Sequence, residues 1–453
     1  ILALAAYLES KHNDLEVEVL DCQAERVNWD GLKRRIESIR PEIIAPSGLA
    51  TCNAYSVLRT VETAKNANPQ IRTIVGGQHF TATAEPSLQA FPEIDFVVRG
   101  EGEETLSDLI KALSAGQSLS DVRGISFRHN GKIIHNPDRE LIDNLDTLPF
   151  PGYHFVEKQM SKYHFKMMAG EDNGYALIEG SRGCQHRCLF CSQWKHWNGT
   201  WRVKSPRRIV DEIEDCYEKY GPKFFWLTDD NFGPRKRVEA LCDEIIRRGL
   251  GKEIAWFVQT RCDDVVNYGN LLPKIRSAGC AWMLLGIERH DQGSLEYLRK
   301  GTNPSQARPA IDQLKKNDIF AQVMFIIGQR TDSHRSIKEL REFASEIDPD
   351  LAIFSVLTPL PGTDLYEIAS KNGWIEDKNW ANYDMIHAIM PTEHLSRNDV
   401  QEELYDCYEA FYGSLRRRIT GIFSSNAIKR RTFSYMAGQT ALQGLRNLFS
   451  HVR

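Results

Sequence analysis

No apolar run in the sequence approaches the roughly 20 residues needed to cross a bilayer, and no charged-then-apolar leader opens it. A cytoplasmic protein without a transmembrane segment is therefore expected. Long Pro- or Gly-rich tracts are also missing, and hydrophobic and charged shares of 42% and 26% are those of a folded chain, not a disordered one. With a formal net charge of −4, the chain lacks the broad basic face that coats nucleic acid, so no nucleic-acid partner is expected. Two short basic runs, Arg416–Arg418 and Lys429–Arg431, read as solvated helix faces. Cysteine is present in ten copies, but not in a disulfide pattern. Cys22, Cys52, Cys216, Cys242, Cys262, Cys280 and Cys407 stand singly on apolar or helical segments, as buried thiols of a reducing compartment do. Only Cys184, Cys188 and Cys191 cluster.

At 453 residues the chain exceeds one ordinary hydrophobic core, and two or three domains are expected. The class is α/β. From Val17 to about Ile125, short β-branched runs (VEVLD, EIIAPSG, TIVGG, DFVVRG) alternate with amphipathic helices near Trp29–Ser38 and Tyr55–Asn66 and from Glu103, which predicts a Rossmann-like, doubly wound sheet over residues 1–135. The opening ILALAAYLE reads as a helix, and a first strand and loop are expected to precede it. Ligands of such sheets lie beyond the C-terminal strand ends. Here those ends carry small residues: Ser47-Gly48, Gly76-Gly77-Gln78-His79 and Gly100-Glu101-Gly102-Glu103. Residues 136–173, marked by Pro137, Pro149, Pro151 and Gly152, read as a connector. Over residues 174–373, six strands (YALIEGS, KFFWLTDD, AWFVQTR, AWMLLGIE, AQVMFIIGQ and LAIFSVLTPL) alternate with helices such as Arg207–Tyr220 and Arg235–Gly249, suiting a partial (β/α)6 barrel. Residues 374–453 read as a mostly helical C-terminal domain.

The chemistry concentrates where YALIEGS runs into SRGCQHRCLFCSQW. A C-x3-C-x2-C group on one loop can ligate three irons of a cubane and leave the fourth open to a substrate. The alternative is zinc, for which His186 would have to supply the fourth ligand.

This loop resembles that of the radical S-adenosylmethionine (SAM) superfamily. The resemblance implies a [4Fe–4S] cluster on Cys184, Cys188 and Cys191, with SAM chelated by the open iron and Phe190 beside its adenine. It extends to later strand ends: Asp229 or Asp230 of LTDDNF would help hold SAM, although the usual Gly-Gly-Glu form is absent; Arg261 would pair with its carboxylate; Glu288 of GIE would approach its ribose or amine; and Gly328 of FIIGQ would admit its adenine. For Arg261 and Glu288 a strand-end salt bridge is the competing reading.

The N-terminal region is similar to the cobalamin-binding domain that precedes many such barrels, through IIAPSGLAT, IVGGQHFTATAEP and VVRGEGEETL. The implied corrin contacts are Ser47, Gly48, Thr51, Gly76, Gly77, His79, Gly100, Glu101, Gly102 and Glu103. The D-x-H-x-x-G motif that supplies a lower axial histidine is missing, so the corrin is expected to bind without that ligand. CSQWKHW, WRVKSPRRIVDEIE and TRCDDV look closest to the subgroup of the anaerobic magnesium-protoporphyrin monomethyl ester oxidative cyclase, whereas TPLPGTDLYE is shared with cobalamin-dependent methylases.

The family's chemistry implies a 5′-deoxyadenosyl radical, methylcobalamin as methyl donor, and an electron donor such as ferredoxin or flavodoxin. C-methylation of an unactivated sp3 carbon of a small molecule or protein residue is the first expectation. Oxidative cyclisation or hydroxylation of a tetrapyrrole is the second, and a non-catalytic cobalamin or SAM sensor the third. Trp194, Trp197, Trp201, Tyr383, Tyr405 and Tyr412 suit a substrate pocket or ordinary packing equally.

Overall fold

The computed structural model describes residues 1–168, 170 and 173–450, with side chains described through residue 439. The chain divides into two compact units: residues 1–159, 181–204 and 358–390 form the first, and residues 160–180, 205–357 and 391–453 the second.

The first unit holds a five-stranded sheet of β1 (Ile43–Ile44), β2 (Arg72–Val75), β3 (Phe96–Val98), β4 (Ile125–His129) and β5 (Lys132–His135) in sequential order. β1, β2 and β3 are parallel, and β4 and β5 are added antiparallel. Because strand side chains alternate, Ile74, Phe96 and Val98 meet Leu106 and Leu109 on one face, while Val75 and Val97 meet Val57, Val61 and Phe80 on the other. Apolar cover on both faces is what an inner parallel sheet requires. The helix Gly102–Ala115 leaves the β3 loop and stops at Gly116, in left-handed conformation at φ 60°.

One expectation needs correction here. Val17–Leu20 forms no strand; Val19 and Leu20 line a cavity of about 350 Å³ together with Ile43 and Ile44 of β1. At the end of the stretch read as the sheet, residues 1–135, β4 and β5 form a hairpin. Its turn is Asn130-Gly131, at φ 49° and 75°, the two-residue pair with positive φ that hairpins favour.

The second unit contains six parallel strands, β6 (Tyr175–Ile178), β9 (Phe224–Leu227), β10 (Ala255–Arg261), β11 (Cys280–Glu288), β12 (Phe320–Ile327) and β13 (Leu351–Val356), in the order β13-β12-β11-β10-β9-β6. Intervening helices are delimited by local chemistry. Pro206–Tyr220 begins at Ser205, whose hydroxyl accepts from Arg208 N–H, carries Pro at its first position, and ends at left-handed Gly221. Phe224, Phe257, Trp282, Phe320 and Leu351, all near the N-terminal strand ends, pack with Met168 and Ile428. Phe165 stacks on Trp282 at 5.4 Å and Phe257 on Trp282 at 3.9 Å, so this end is filled by aromatic rings. Chemistry is left to the opposite ends.

Strands β7 (Ser181–Gly183) and β8 (Trp201–Val203) form a separate antiparallel ribbon in the first unit. The tail becomes helical only at Arg397, with helices Arg397–Tyr412, Leu415–Ile422 and Ala427–Ser450; before it lies irregular chain with one 3-10 turn at Trp380–Asn382, because GWIEDKNWANYD carries no helical periodicity. Among the described residues no helix is long and apolar enough to cross a membrane.

Candidate active site

In the first unit, the ribbon β7–β8 brackets the loop bearing Cys184, Cys188 and Cys191. Cys188 is buried and the other two cysteines are half-buried. A tight turn joins them, with Cys191 N–H donating to Cys188 O at 3.2 Å and Trp194 Nε1 to the same oxygen at 3.1 Å. Leu365 N–H donates to Leu189 O, and Lys195 pairs with Asp364 and Glu367 at 2.6 and 2.7 Å, anchoring the loop to the 358–390 segment. Phe190 is half-buried.

The glycine loops converge. Gly48 N–H donates to Gly76 O at 2.9 Å and His79 N–H to Gly48 O at 3.1 Å, so the loops after β1 and β2 are stitched together. A Cβ on Gly77, at φ 89°, would fall 2.7 Å from Gly48 O and 2.8 Å from Ser47 Oγ, and one on Gly48 2.7 Å from the Phe80 ring. Only glycine fits at either place. Thr51 Oγ lies 3.2 Å from His79 Nδ1. His79 is 2% exposed, edge-on to Phe80 and Trp380, and its Nε2 has no hydrogen-bond partner. Burial pushes its pKa down to about 4, so it is a neutral imidazole. The loops also meet the cysteine loop: Gln78 Nε2 donates to Gln193 Oε1 at 2.5 Å, and Ser192 Oγ to Gln78 Oε1 at 3.3 Å. Gly100 N–H is held by Thr81 Oγ at 3.1 Å. Glu101 and Glu103 instead engage Arg182 and Arg202 of the ribbon, contacts that the sequence reading missed because they join residues 79 to 101 positions apart.

The second unit gathers the other candidates at C-terminal strand ends. Asp229, 1% exposed, accepts from Gly180 N–H at 3.1 Å and pairs with Arg237 at 2.8 Å. Asp230 is half-buried, and next to it Asn231 Nδ2 is buried without a partner. Arg261 ends β10, pairing with Asp263 at 3.0 Å and donating to Lys300 O at 2.6 Å. Glu288 ends β11 at φ 66°, a strained conformation for a non-glycine residue, and meets Lys300 Nζ at 2.8 Å with both side chains buried. Gly328 follows β12 at φ 81°, where a Cβ would lie 3.1 Å from Val400. Lys300 was absent from the sequence reading; its signal, a lysine at the end of a short helix, is too common to single out. Arg289 and Asp332, each 1% exposed, form a two-armed pair at 2.6 and 3.0 Å behind this edge.

Among the described residues, no group of three or more His, Cys, Asp or Glu side chains is closed around a metal-sized point, and His186 completes no such set with the three thiols. The donor chemistry fits a cluster nonetheless: three soft thiols on one loop suit a cubane with an open iron. The cradle formed by Gly48, Gly77 and the unpartnered His79 Nε2 likewise fits a large, polar-edged ligand over the sheet.

Comparison with known proteins gives two family matches. Residues 1–110 match the B12 binding domain family and residues 178–344 the Radical SAM superfamily. The chain is 31% identical to an uncharacterized methyltransferase, PH0819, of Pyrococcus horikoshii over 94% of its own length and 90% of the relative's. It is 31% identical to the anaerobic magnesium-protoporphyrin IX monomethyl ester cyclase of Rubrivivax gelatinosus over 90% of its length and 72% of the cyclase. Among solved structures, the cobalamin-dependent SAM radical enzyme OxsB with aqua-cobalamin and SAM bound superposes with a TM-score of 0.75 at 18% identity, covering 97% of this chain and 68% of that one, a likeness of fold.

Proposed function

The chain belongs to the radical SAM superfamily, in the branch with an N-terminal B12-binding domain, and from that premise we propose that it is a methyltransferase acting on an unactivated sp3 carbon of a small molecule or a protein residue. Its cofactors are those of the branch: a [4Fe–4S] cluster, SAM and cobalamin. When bound, they supply an electron, a 5′-deoxyadenosyl radical able to remove hydrogen from carbon, and a transferable methyl group.

The chain's own residues provide the setting. Cys184, Cys188 and Cys191 would hold the cluster, and Phe190 would help hold SAM. At strand ends of the second unit, Asp229, Asp230, Arg261, Glu288 and Gly328 are the further candidates for holding SAM. Ser47, Gly48, Thr51, Gly76, Gly77, His79, Gly100 and Gly102 would cradle the corrin. Neutral His79 presents a lone pair or an N–H according to tautomer, without bringing a charge into an apolar pocket. The reductant is a low-potential carrier of the ferredoxin or flavodoxin class.

The observation that supports the reading is the hydrogen bond from Gln78 to Gln193, which joins the glycine loop after β2 to the cysteine loop. The longer span shared with the methyltransferase than with the cyclase favours methylation. Equal identity to the cyclase keeps tetrapyrrole oxidation as the second reading. The test is anaerobic incubation of the protein, loaded with iron, sulfide and hydroxocobalamin and reduced with titanium(III) citrate, with SAM alone or with magnesium-protoporphyrin IX monomethyl ester. S-adenosylhomocysteine with 5′-deoxyadenosine supports methylation. Conversion of the porphyrin with 5′-deoxyadenosine alone supports the second reading, and Cys188→Ala abolishes both nucleoside products if the cluster assignment is right.

A further inference from the structure

The ribbon that brackets the cysteine loop carries an electrostatic problem. Its register puts Arg182 of β7 directly opposite Arg202 of β8, and their side chains are 5% and 10% exposed. Like charges facing each other across two strands repel, and an isolated two-stranded ribbon is at best marginally stable. Two buried carboxylates from the start of the helix Gly102–Ala115 resolve it. Arg182 Nη1 donates to Glu101 Oε1 and Nη2 to Glu103 Oε1, both at 2.6 Å. Arg202 Nη1 donates to both Glu101 oxygens at 3.0 Å and to Ile142 O at 2.5 Å, while its Nε and Nη2 have no partner. Both guanidiniums also lie near the Trp197 ring, at 5.7 and 5.4 Å. Burial alone would raise the Glu103 carboxyl, but the charge and hydrogen bond of Arg182 hold it below the ordinary carboxylate value. Two guanidiniums against two carboxylates give formal charges that sum to zero.

We propose that Glu101 and Glu103 are positioning residues for the iron–sulfur cluster, acting through Arg182 and Arg202 to fix the two ends of the cysteine loop and to set the cluster's reduction potential, instead of contacting the corrin. The inference rests on the reading of Cys184, Cys188 and Cys191 as cluster ligands. Arg182 is two residues from Cys184, within about 7 Å along an extended chain. At an effective dielectric of about 20, one uncompensated charge on the order of 12 Å from the cluster changes a one-electron equilibrium by about tenfold, or about 59 mV. The quartet is therefore neutral for a reason beyond folding: an unpaired arginine would favour the reduced cluster and an unpaired glutamate the oxidised one.

The test is a redox titration of the reconstituted full chain, without SAM, followed by the electron paramagnetic resonance of the reduced cluster, alongside iron content. Glu103→Gln leaves the quartet at net +1 and should raise the midpoint potential. Arg202→Gln leaves it at net −1 and should lower it. The double variant removes one charge of each sign, keeps the Arg182–Glu101 pair, and should fold and return close to wild type even if a single variant does not. Arg182→Lys keeps the charge but loses the two-armed grip, so it should lose iron at an unshifted potential. Single variants that shift together or not at all, or a double variant that departs from wild type by as much as either single, would overturn the proposal while leaving the cluster reading standing. A wild-type chain that takes up no iron overturns both.

Discussion

Substituting Gly77 by alanine tests the corrin cradle by geometry alone. Gly77 has φ 89° and ψ 177°, a region that is essentially glycine-only and costs a side-chain-bearing residue about 1–3 kcal/mol. The new methyl would also meet Gly48 O at 2.7 Å and Ser47 Oγ at 2.8 Å, both from the neighbouring loop. The free protein can relieve this contact by parting the loops, at the expense of the bonds between Gly48 N–H and Gly76 O and between His79 N–H and Gly48 O. Binding has to close them again. Up to the whole of an estimated ~2 kcal/mol then appears as affinity, roughly thirtyfold in Kd. Gly116→Ala is the matched control, since Gly116 also has positive φ, at 60°, but open space around its Cβ. Absorbance titration with hydroxocobalamin should show the large loss for Gly77→Ala and little or none for Gly116→Ala. Equal affinities for Gly77→Ala and wild type, in a variant whose stability has fallen, would show that the strain is real and the corrin lies elsewhere.

Replacing Arg289 by methionine leaves Asp332 buried without its partner and should cost about 3–5 kcal/mol, read as a lower Tm of the cofactor-free chain, while the double replacement with Asp332→Leu should recover most of it. Glu288→Gln keeps an acceptor for Lys300 Nζ but removes the charge; it should weaken SAM binding by about tenfold in calorimetric titration, with hydroxocobalamin affinity unchanged. His79, held near pKa 4 against 6.5 in the unfolded chain, makes acid destabilising: its contribution is fully present above pH 6.5 and is lost as pH falls towards 4, at up to about 1.4 kcal/mol per pH unit. Thermal unfolding between pH 7 and 4 should show that slope, and His79→Asn should flatten it.

Most of the architecture was legible because it is written in local periodicity. All six barrel strands sit where β-branched and aromatic runs place them, and Pro206 and Gly221 mark their helix as capping chemistry requires. The β4–β5 hairpin was legible too, since Asn130-Gly131 is a strong turn signal. Val17–Leu20 shows the opposite limit: a β-branched run becomes a strand only when a neighbour accepts its hydrogen bonds, and that is a tertiary fact. The same holds in the site. The cysteine spacing and the glycine loops stand out in one dimension, whereas Arg182, Arg202 and Lys300 gain meaning only from the carboxylates folding places beside them. Glu101 and Glu103 were read from their loop position as ligand contacts, and nothing in the order of residues discloses two arginines waiting across the ribbon.

The most direct test of methyl transfer needs no knowledge of the acceptor. The chain, loaded with iron, sulfide and hydroxocobalamin, is reduced anaerobically and given SAM labelled as a trideuteromethyl group, and the corrin is then extracted in the dark for mass spectrometry. A methyltransferase yields corrin carrying the trideuteromethyl group together with an equal amount of S-adenosylhomocysteine. Accumulation of 5′-deoxyadenosine with an unlabelled corrin would contradict the methyltransferase assignment.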